Sequence, residues 1–427
     1  MARIVFATFG SLGDLHPLIA IAFEMKRRGH EVDFCTSQTY RSKLEGLGFG
    51  FHSMRPDVTP ENGEGRDLVK KIFDPRRGAE HLICGVLLPY LRESYEDLRN
   101  AITQPRKADL LICGELVYAA PIVAEELGLA WATYVTTPMS FFSAFDLPIL
   151  PPVPRLSAVI RKLGSTVAGG ALRLVKSTTR NWGRPVRQLR AELRLSPGGD
   201  PVYEGKFSPH LVLAGFSGVL AKPQPDWPMN TVLTGFPFYD GSTEQESLPR
   251  ELNDFLENGE APIVFTLGSS AVMDPGTFYE ESIKAARRLK KRAVLLIGQN
   301  APAVDAFEDV IAVNYVAFSK LFPRAAAIVH QGGIGTTGQA LRAGKAMLVM
   351  PFAFDQQDNA ARVVRLGAGR TISRRRYTSE SAARELGLLL ETPGYRAAAV
   401  EAAARISKED GASAAANALV KLPKIGR

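Results

Sequence analysis

Two α/β domains, each a doubly wound parallel sheet, are what this sequence predicts, and three observations carry that prediction. The chain opens as strand, glycine-bearing turn, helix, strand: RIVFATF (Arg3 to Phe9), GSLGDLHP (Gly10 to Pro17), a helical pattern from Leu18 to Arg28, then Glu31 to Cys35. The same plan recurs over 325–359, AAAIVHQGGIGTTGQALRAGKAMLVMPFAFDQQDN. Finally, 427 residues exceed what one hydrophobic core comfortably organises, so two cores are expected.

Composition narrows the function classes. Apolar residues at 45% and charged residues at 22% are ordinary for a soluble globular chain. Cys35, Cys84 and Cys113 have neither metal-ligand spacing nor an even-numbered framework, which fits a reducing compartment. A strand that begins at Arg3 leaves no room for a signal peptide, and no apolar run reaches the roughly 20 residues of a membrane span. A cytoplasmic location is therefore expected. The formal charge of +8 is modest, and no aromatic-basic module accompanies it, so nucleic acid is not an expected partner.

In the first half, Gly29 supplies the stop for the opening helix. The turn before that helix lacks the full G-x-G-x-x-G spacing, and no acidic residue closes the second strand, so it does not read as a dinucleotide site. Asp14 and His16 lie at the carboxyl end of the first strand, where open sheets of this kind place ligands. Asp14 suits either an N-cap or a general base beside an acceptor hydroxyl; His16 suits a surface or capping role or the same base chemistry. Residues 52–80 are polar and Gly/Pro-punctuated, Tyr90 to Ile102 is helical, and Asp109 to Cys113 is a buried strand followed by Gly114-Glu115. Ala119 to Leu127 is helical and Trp131 to Val135 is a strand. Phe141, Phe142 and Phe145 follow it, either as the wall of an apolar acceptor pocket or as core under a loop. Residues 155–194 hold ten Arg and Lys with Glu192 as the only acid. They read as solvated helix faces over the first sheet, or as a contact with an anionic membrane surface.

In the second half, Leu211 to Gly215 is a strand, and TGFPFYDG (234–241) with GSTEQESLP after it has the punctuation of a linker. Pro262 to Leu267 starts a new sheet and runs into Gly268-Ser269-Ser270, a small-residue turn able to meet phosphate. Helix Phe278 to Lys290, strands Ala293 to Ile297 and Ile311 to Tyr315, and a short helix Phe318 to Phe322 follow. Next come strand Ala325 to Val329, His330, and glycines 332, 333, 335 and 338 interleaved with Thr336 and Thr337. Bare glycines where a strand hands over to a helix let backbone N–H groups approach an anion, and the helix N-terminus adds partial positive charge. His330 and Thr336 can donate to phosphate oxygens; Asp355 and Gln356, beyond the strand Ala346 to Met350, can bind hydroxyls. Phosphate donors beside hydroxyl binders point to a sugar nucleotide. Ala361 to Leu366, Ser379 to Leu390 and the Ala-rich 396–420 are helical.

The stretches GSLGDLHPLIAIAFEMKRRGHEV and HQGGIGTTGQALRAGKAMLVMPFAFDQQDNAARV resemble the family 1 nucleotide-sugar (UDP-type) glycosyltransferases. The nearest groups are the macrolide, glycopeptide-antibiotic, sterol and rhamnolipid-type enzymes. The resemblance spans essentially the whole chain and implies the GT-B fold, two Rossmann-like domains facing across a cleft. The expected units are an acceptor-binding domain over 1–237, a linker over 238–258, a donor-binding domain over 259–400, and a helical tail over 401–427 packing back on the first domain.

The resemblance also implies roles. His330, Gly332, Gly333, Gly335 and Thr336 fall at the donor diphosphate, with Ser269 or Ser270 as the small residue after the first donor-domain strand. Asp355 and Gln356 match the pair that holds sugar hydroxyls. Tyr315, Val316 and Phe318 occupy the base-binding segment, without the tryptophan of plant members; Gln339 adjoins Gly338, where those members carry a ribose-binding glutamate. Aligned on Gly13 and Pro17, the base position is Asp14, with His16 as runner-up. Glu115 adjoins Gly114, where plant members place the aspartate that polarises a histidine; it is expected, with the three phenylalanines, at the acceptor pocket. The implied activity is inverting transfer of a hexose from a UDP-sugar to a hydroxyl of an apolar small-molecule or lipid acceptor. No cofactor is expected, and no D-x-D metal motif stands in a plausible place. The alternatives are a sugar-nucleotide epimerase, or an inactive relative that assists another glycosyltransferase.

Overall fold

The continuous apolar runs read from the sequence become parallel strands covered on both faces by helices, the arrangement that such runs require. A computed structural model describes residues 1–57, 68, 70–241, 247–269, 271–298 and 308–422. The first sheet contains β1 (Arg3–Ala7), β2 (Glu31–Thr36), β3 (Gly50–Ser53), β4 (Leu110–Gly114), β5 (Trp131–Val135), β6 (Leu211–Ala214) and β7 (Thr231–Leu233). The second contains β8 (Ile263–Thr266), β9 (Ala293–Leu296), β10 (Val310–Val313), β11 (Ala327–His330), β12 (Met347–Val349) and β13 (Gly369–Thr371). Their orders are β3-β2-β1-β4-β5-β6-β7 and β10-β9-β8-β11-β12-β13. All recorded neighbours pair in parallel; in the first sheet Val5 is level with Asp33 on one side and Leu111 on the other. The strand order reverses between β1 and β4 in one sheet, and between β8 and β11 in the other. Crevices open at such reversals, at the carboxyl ends of the strands, and this is where both motif-bearing turns lie.

The chain therefore has the α/β class and the two doubly wound sheets that the sequence predicts. Its element boundaries differ in instructive places. The first helix begins at Leu12, not Leu18, and carries Pro17 inside it. Ser11 caps that helix, and Pro17, lacking an N–H, forfeits only one bond in the second turn. The helix after β12 likewise starts at Gln356. Short edge strands β3, β7 and β13 carried too little periodicity to be read. Within the expected linker 238–258, Arg250–Glu257 is a helix that buries Leu252 and Leu256 beside Val264 and Val294 of the second sheet. At the other end of the chain, helix Gly411–Leu419 buries Ala415, Ala416 and Leu419 against Leu15, Leu18 and Ile4 of the first domain. Ser217 Oγ donates to Glu409 at 2.7 Å, a polar contact between the first domain and the approach to that helix.

Candidate active site at the facing strand ends

The turn after β1 is built around a carboxylate. Asp14 is not the N-cap, one of the two roles its position allowed. Ser11 is the cap and Asp14 stands three residues later, the two forming a reciprocal capping box. Asp14 Oδ2 accepts the Ser11 N–H at 2.8 Å and the Ser11 hydroxyl at 3.3 Å, which leaves Oδ1 without a hydrogen bond among the described residues. Gly10 makes room for it: with φ +118°, a Cβ there would sit 2.3 Å from Asp14 Oδ2. Burial pushes the Asp14 pKa up to about 6; the Ser11 hydrogen bonds oppose this and nearby Glu115 adds to it. A carboxylate in that range is mostly ionised at neutral pH yet basic enough to accept a proton.

His16 takes a different direction. Two residues along a helix lie on different faces, and His16 meets Tyr239 edge-on at 5.2 Å between ring centroids. Burial and then Lys43 lower its pKa to about 4, so it is neutral at physiological pH. The structure thus joins His16 to the segment between the domains and keeps Asp14 at the strand end.

The turn after β11 is arranged otherwise. Helix Ile334–Arg342 begins after Gly333 with no side chain capping it. The N–H groups of Ile334, Gly335 and Thr336 precede its first internal bond, from Thr337 N–H to Gly333 C=O. A Cβ added at Gly335 would meet no atom within 4 Å, so this helix end is open. Thr336 is buried in that first turn. Gly332, at φ +89°, brings the chain close to Val349 and the Gln356 carbonyl, where a Cβ would not fit.

His330 corrects the expectation placed on it. Its ring is fully buried; Nδ1 accepts the Gly332 N–H at 3.0 Å, and Nε2 lies 3.3 Å from the thioether sulfur Sδ of Met347. Burial drives its pKa down to about 3, so the imidazole is neutral. His330 shapes the glycine turn from beneath and directs neither ring nitrogen to its open side. The residue with a side chain among these glycines is Gln331. Its Nε2 would lie 2.3 Å from a Cβ on Gly268 and 2.7 Å from one on Gly333, and its buried Oε1 has no partner among the described residues. Gln331 thus bridges the turns after β8 and β11. Ser269 is exposed in the first of these turns; Ser270 lies outside the described residues.

Beyond β12, Phe354 adopts φ 54°, a conformation that costs a non-glycine residue energy, immediately before Asp355. Burial raises the Asp355 pKa to about 7; a hydrogen bond from Asn359 lowers it, and Asp14 raises it. Asp14 of the first domain and Asp355 of the second therefore repel each other across the space between the strand ends. Asn359, absent from the sequence reading, organises that space. Its Nδ2 donates to Asp355 Oδ2 at 2.7 Å and to the Gly332 carbonyl at 2.9 Å, while Oδ1 accepts from Thr137 of the first domain at 3.3 Å. The spacing gave a signal: Asn359 is four residues after Asp355, one turn along the same helix face. Gln356 spends its Oε1 on the Phe352 and Ala353 N–H groups, at 2.8 and 3.2 Å, so only its amide nitrogen remains for a ligand.

The remaining candidates divide. Phe141 is core, which corrects its assignment to a pocket wall: it stacks on Trp227 at 4.1 Å and Phe207 at 5.5 Å, because its backbone turns the ring beneath the loop. Phe142, at φ 46°, points to Tyr203, and Phe145 is exposed. Glu115 is held in a buried pair with Lys206 at 2.7 Å and accepts from Ser140 at 2.7 Å. On the donor side, Tyr315 is exposed and its hydroxyl donates to the Asp240 carbonyl. Phe318 stacks on Phe322 at 4.4 Å, which engages one of its faces; Val316 and Gln339 are buried. Among the described residues no cluster of His, Cys, Asp and Glu is arranged to hold a metal ion.

Comparison with known proteins agrees with this fold. Residues 4–138 match the glycosyltransferase family 28 N-terminal domain, and residues 282–422 match the erythromycin biosynthesis protein CIII-like C-terminal domain. The chain is 29% identical to O-mycaminosyltylonolide 6-deoxyallosyltransferase of Streptomyces fradiae, over 96% of this chain and 94% of that protein. Its fold matches the kitacinnamycin glycotransferase with a TM-score of 0.72 at 21% identity, covering 99% of each chain. It also matches the Streptomyces sp. SF2575 glycosyltransferase SsfS6 complexed with thymidine diphosphate, with a TM-score of 0.65 at 18% identity over 99% of this chain and 100% of that one. With two doubly wound sheets, both motif-bearing turns at their strand reversals and these relatives along its whole length, the chain is a GT-B glycosyltransferase of the family 1 type.

Proposed function

We propose that this enzyme transfers a hexose from a nucleoside diphosphate sugar to a hydroxyl of an apolar natural-product, sterol-like or lipid acceptor, with inversion at the anomeric carbon. The observation that carries the reading is that Asp14, with one carboxylate oxygen free among the described residues, acts electrostatically on Asp355, which Asn359 ties to Gly332 in the turn before the uncapped helix Ile334–Arg342. Asp14 accepts the proton of the acceptor hydroxyl as its oxygen attacks the anomeric carbon. The bond from that carbon to the diphosphate oxygen breaks, and the nucleoside diphosphate departs with the bonding pair. Negative charge grows on the leaving group, where the N–H groups of Ile334, Gly335 and Thr336 and the helix dipole would stabilise it. In this reading that cradle neutralises the leaving group without a metal. Asp355 and the Gln356 amide nitrogen hold sugar hydroxyls, with Asn359 fixing Asp355. A thymidine diphosphate complex of a fold relative supports a pyrimidine nucleotide donor; uridine is the first donor to test and thymidine the second.

The experiment combines a donor and acceptor screen by mass spectrometry with the Asp14→Asn variant. Asparagine can still accept the Ser11 N–H, so folding and nucleotide binding should persist. Loss of one general base costs about 10²- to 10⁴-fold in turnover. The wild-type rate should rise with pH through about 6 and should survive EDTA. Transfer by the variant within a few-fold of wild type, or product with retained anomeric configuration, would overturn this scheme.

A further inference from the structure

The segment between Asp146 and Glu192 contains no acidic residue and nine Arg and Lys. It folds into three helices, Pro154–Lys162, Ser165–Thr179 and Arg184–Glu192. The first two form a hairpin through Gly164, which turns at φ +92°. Its inner side is anchored: Ala168 and Leu172 bury against Leu147, with Ile160 alongside. Its outer side presents a second apolar stripe. Leu156, Val159 and Leu163 recur at i, i+3 and i+7, and Val167 and Leu174 at i and i+7, all on the surface; Leu163 is 60% and Leu174 67% exposed. A helix pair that is apolar on both sides has more apolar surface than its own domain covers.

Charge says what covers the outer side. Arg155, Lys162, Arg173 and Arg180 are exposed and make no ion pair among the described residues. Arg161 and Lys176 are already paired, with Asp146 and Glu204. A second copy of this face would oppose like charges with no acid to relieve them. Leucine and valine flanked by unpaired cations instead match an interface of acyl chains and anionic headgroups.

We propose that the outer face of helices Pro154–Lys162 and Ser165–Thr179 docks this enzyme on an anionic phospholipid surface. The hairpin is tied to the donor side as well: Asp146 pairs with Arg362 of helix Gln356–Leu366, and the Ile149 N–H donates to Asp358 at 2.9 Å. A docked hairpin thus sets the acceptor side of the site against the lipid. Resting on the transferase reading above, this names the acceptor as an amphiphile that partitions into membranes and offers its hydroxyl at the headgroup level.

The test is co-sedimentation of the full chain, without donor or acceptor, with phosphatidylcholine vesicles that contain or lack phosphatidylglycerol. The protein should sediment with the anionic vesicles alone and be released by high salt. Arg155→Glu with Lys162→Glu, and separately Leu156→Asn with Val159→Asn and Leu163→Asn, should each lower the partition coefficient about tenfold or more. Unchanged melting curves and unchanged transfer to a water-soluble acceptor would show that the variants are folded. The proposal is overturned by absence of binding to anionic vesicles, by variants that bind like the parent, or by lipid-free dimerisation that the apolar variant abolishes. Because binding is read without catalysis, a failed transfer assay leaves this result standing, and the reverse holds too.

Discussion

The two glycine turns begin alike and end in opposite states. Each follows a central strand at a reversal in strand order and leads into a helix. After β1, Ser11 and Asp14 close the helix N-terminus with a capping box. After β11, the helix starts at Ile334, where among the described residues no side chain caps its N–H groups, with open space at Gly335. A closed helix end holds a carboxylate in one place; an open one offers its N–H groups and dipole to an external anion. In the proposed mechanism the same supersecondary unit therefore supplies a base in one domain and a leaving-group cradle in the other, and what separates them is which residue occupies the first turn.

The largest expected effect comes from making the second turn like the first. Gly335→Asp would put a carboxylate where the diphosphate is expected. Nucleoside diphosphate affinity, read by calorimetry, should fall about 100-fold or more; a change under about threefold would mean that this helix end is not the anion site.

Next is Gly10→Ala. The new Cβ collides with Asp14 Oδ2 and holds a positive φ that alanine resists. Turnover should drop about tenfold or more, with stability lower by about 1–3 kcal/mol in denaturant titration. Unaltered turnover would show that the placement of Asp14 does not matter.

Asp355→Asn probes the strain that the site stores. The folded pKa near 7 lies above that of an unfolded aspartate. The folded state thus binds this proton more tightly, and the stability it gives is present below the unfolded value and lost as pH rises through about 7. The variant should melt higher than wild type at pH 8, with the gain vanishing towards pH 4. A constant difference across that range would rule out the shifted carboxyl as its source.

The smallest effect is that of Ser11→Ala. Loss of the cap costs about 1 kcal/mol. Loss of the hydroxyl hydrogen bond should also move the acidic limb of the rate profile upward, because that bond favours the ionised form of Asp14. A limb that stays in place would detach it from Asp14.

Much of this was legible in the chain itself. Apolar runs as uninterrupted as Ile4 to Ala7 or Ile263 to Phe265 demand cover on both faces, so parallel sheets followed from hydrophobicity alone. Glycines at 332, 333 and 335 after a strand end announced an open helix N-terminus because backbone access is a local property. Asp14 was singled out by position. Less was legible where a side chain had to choose a direction. Phe141 and Phe145 are four residues apart in one loop, yet one stacks in the core and the other faces solvent. His330 carried the donor group that a phosphate site wants, and its ring instead supports the turn from below.

What the sequence determined alone is the set of local features: strand and helix periodicity, bare-glycine backbone, and the charge of residues 155–194. These depend on neighbours within a few positions. What only the tertiary structure decided is which groups from opposite halves meet. Asn359 joins Asp355, Gly332 and Thr137, and Asp14 raises the proton affinity of Asp355 across more than 300 residues of chain. Burial and electrostatic coupling between distant segments have no periodicity to read, because they exist only once two sheets have folded and faced each other.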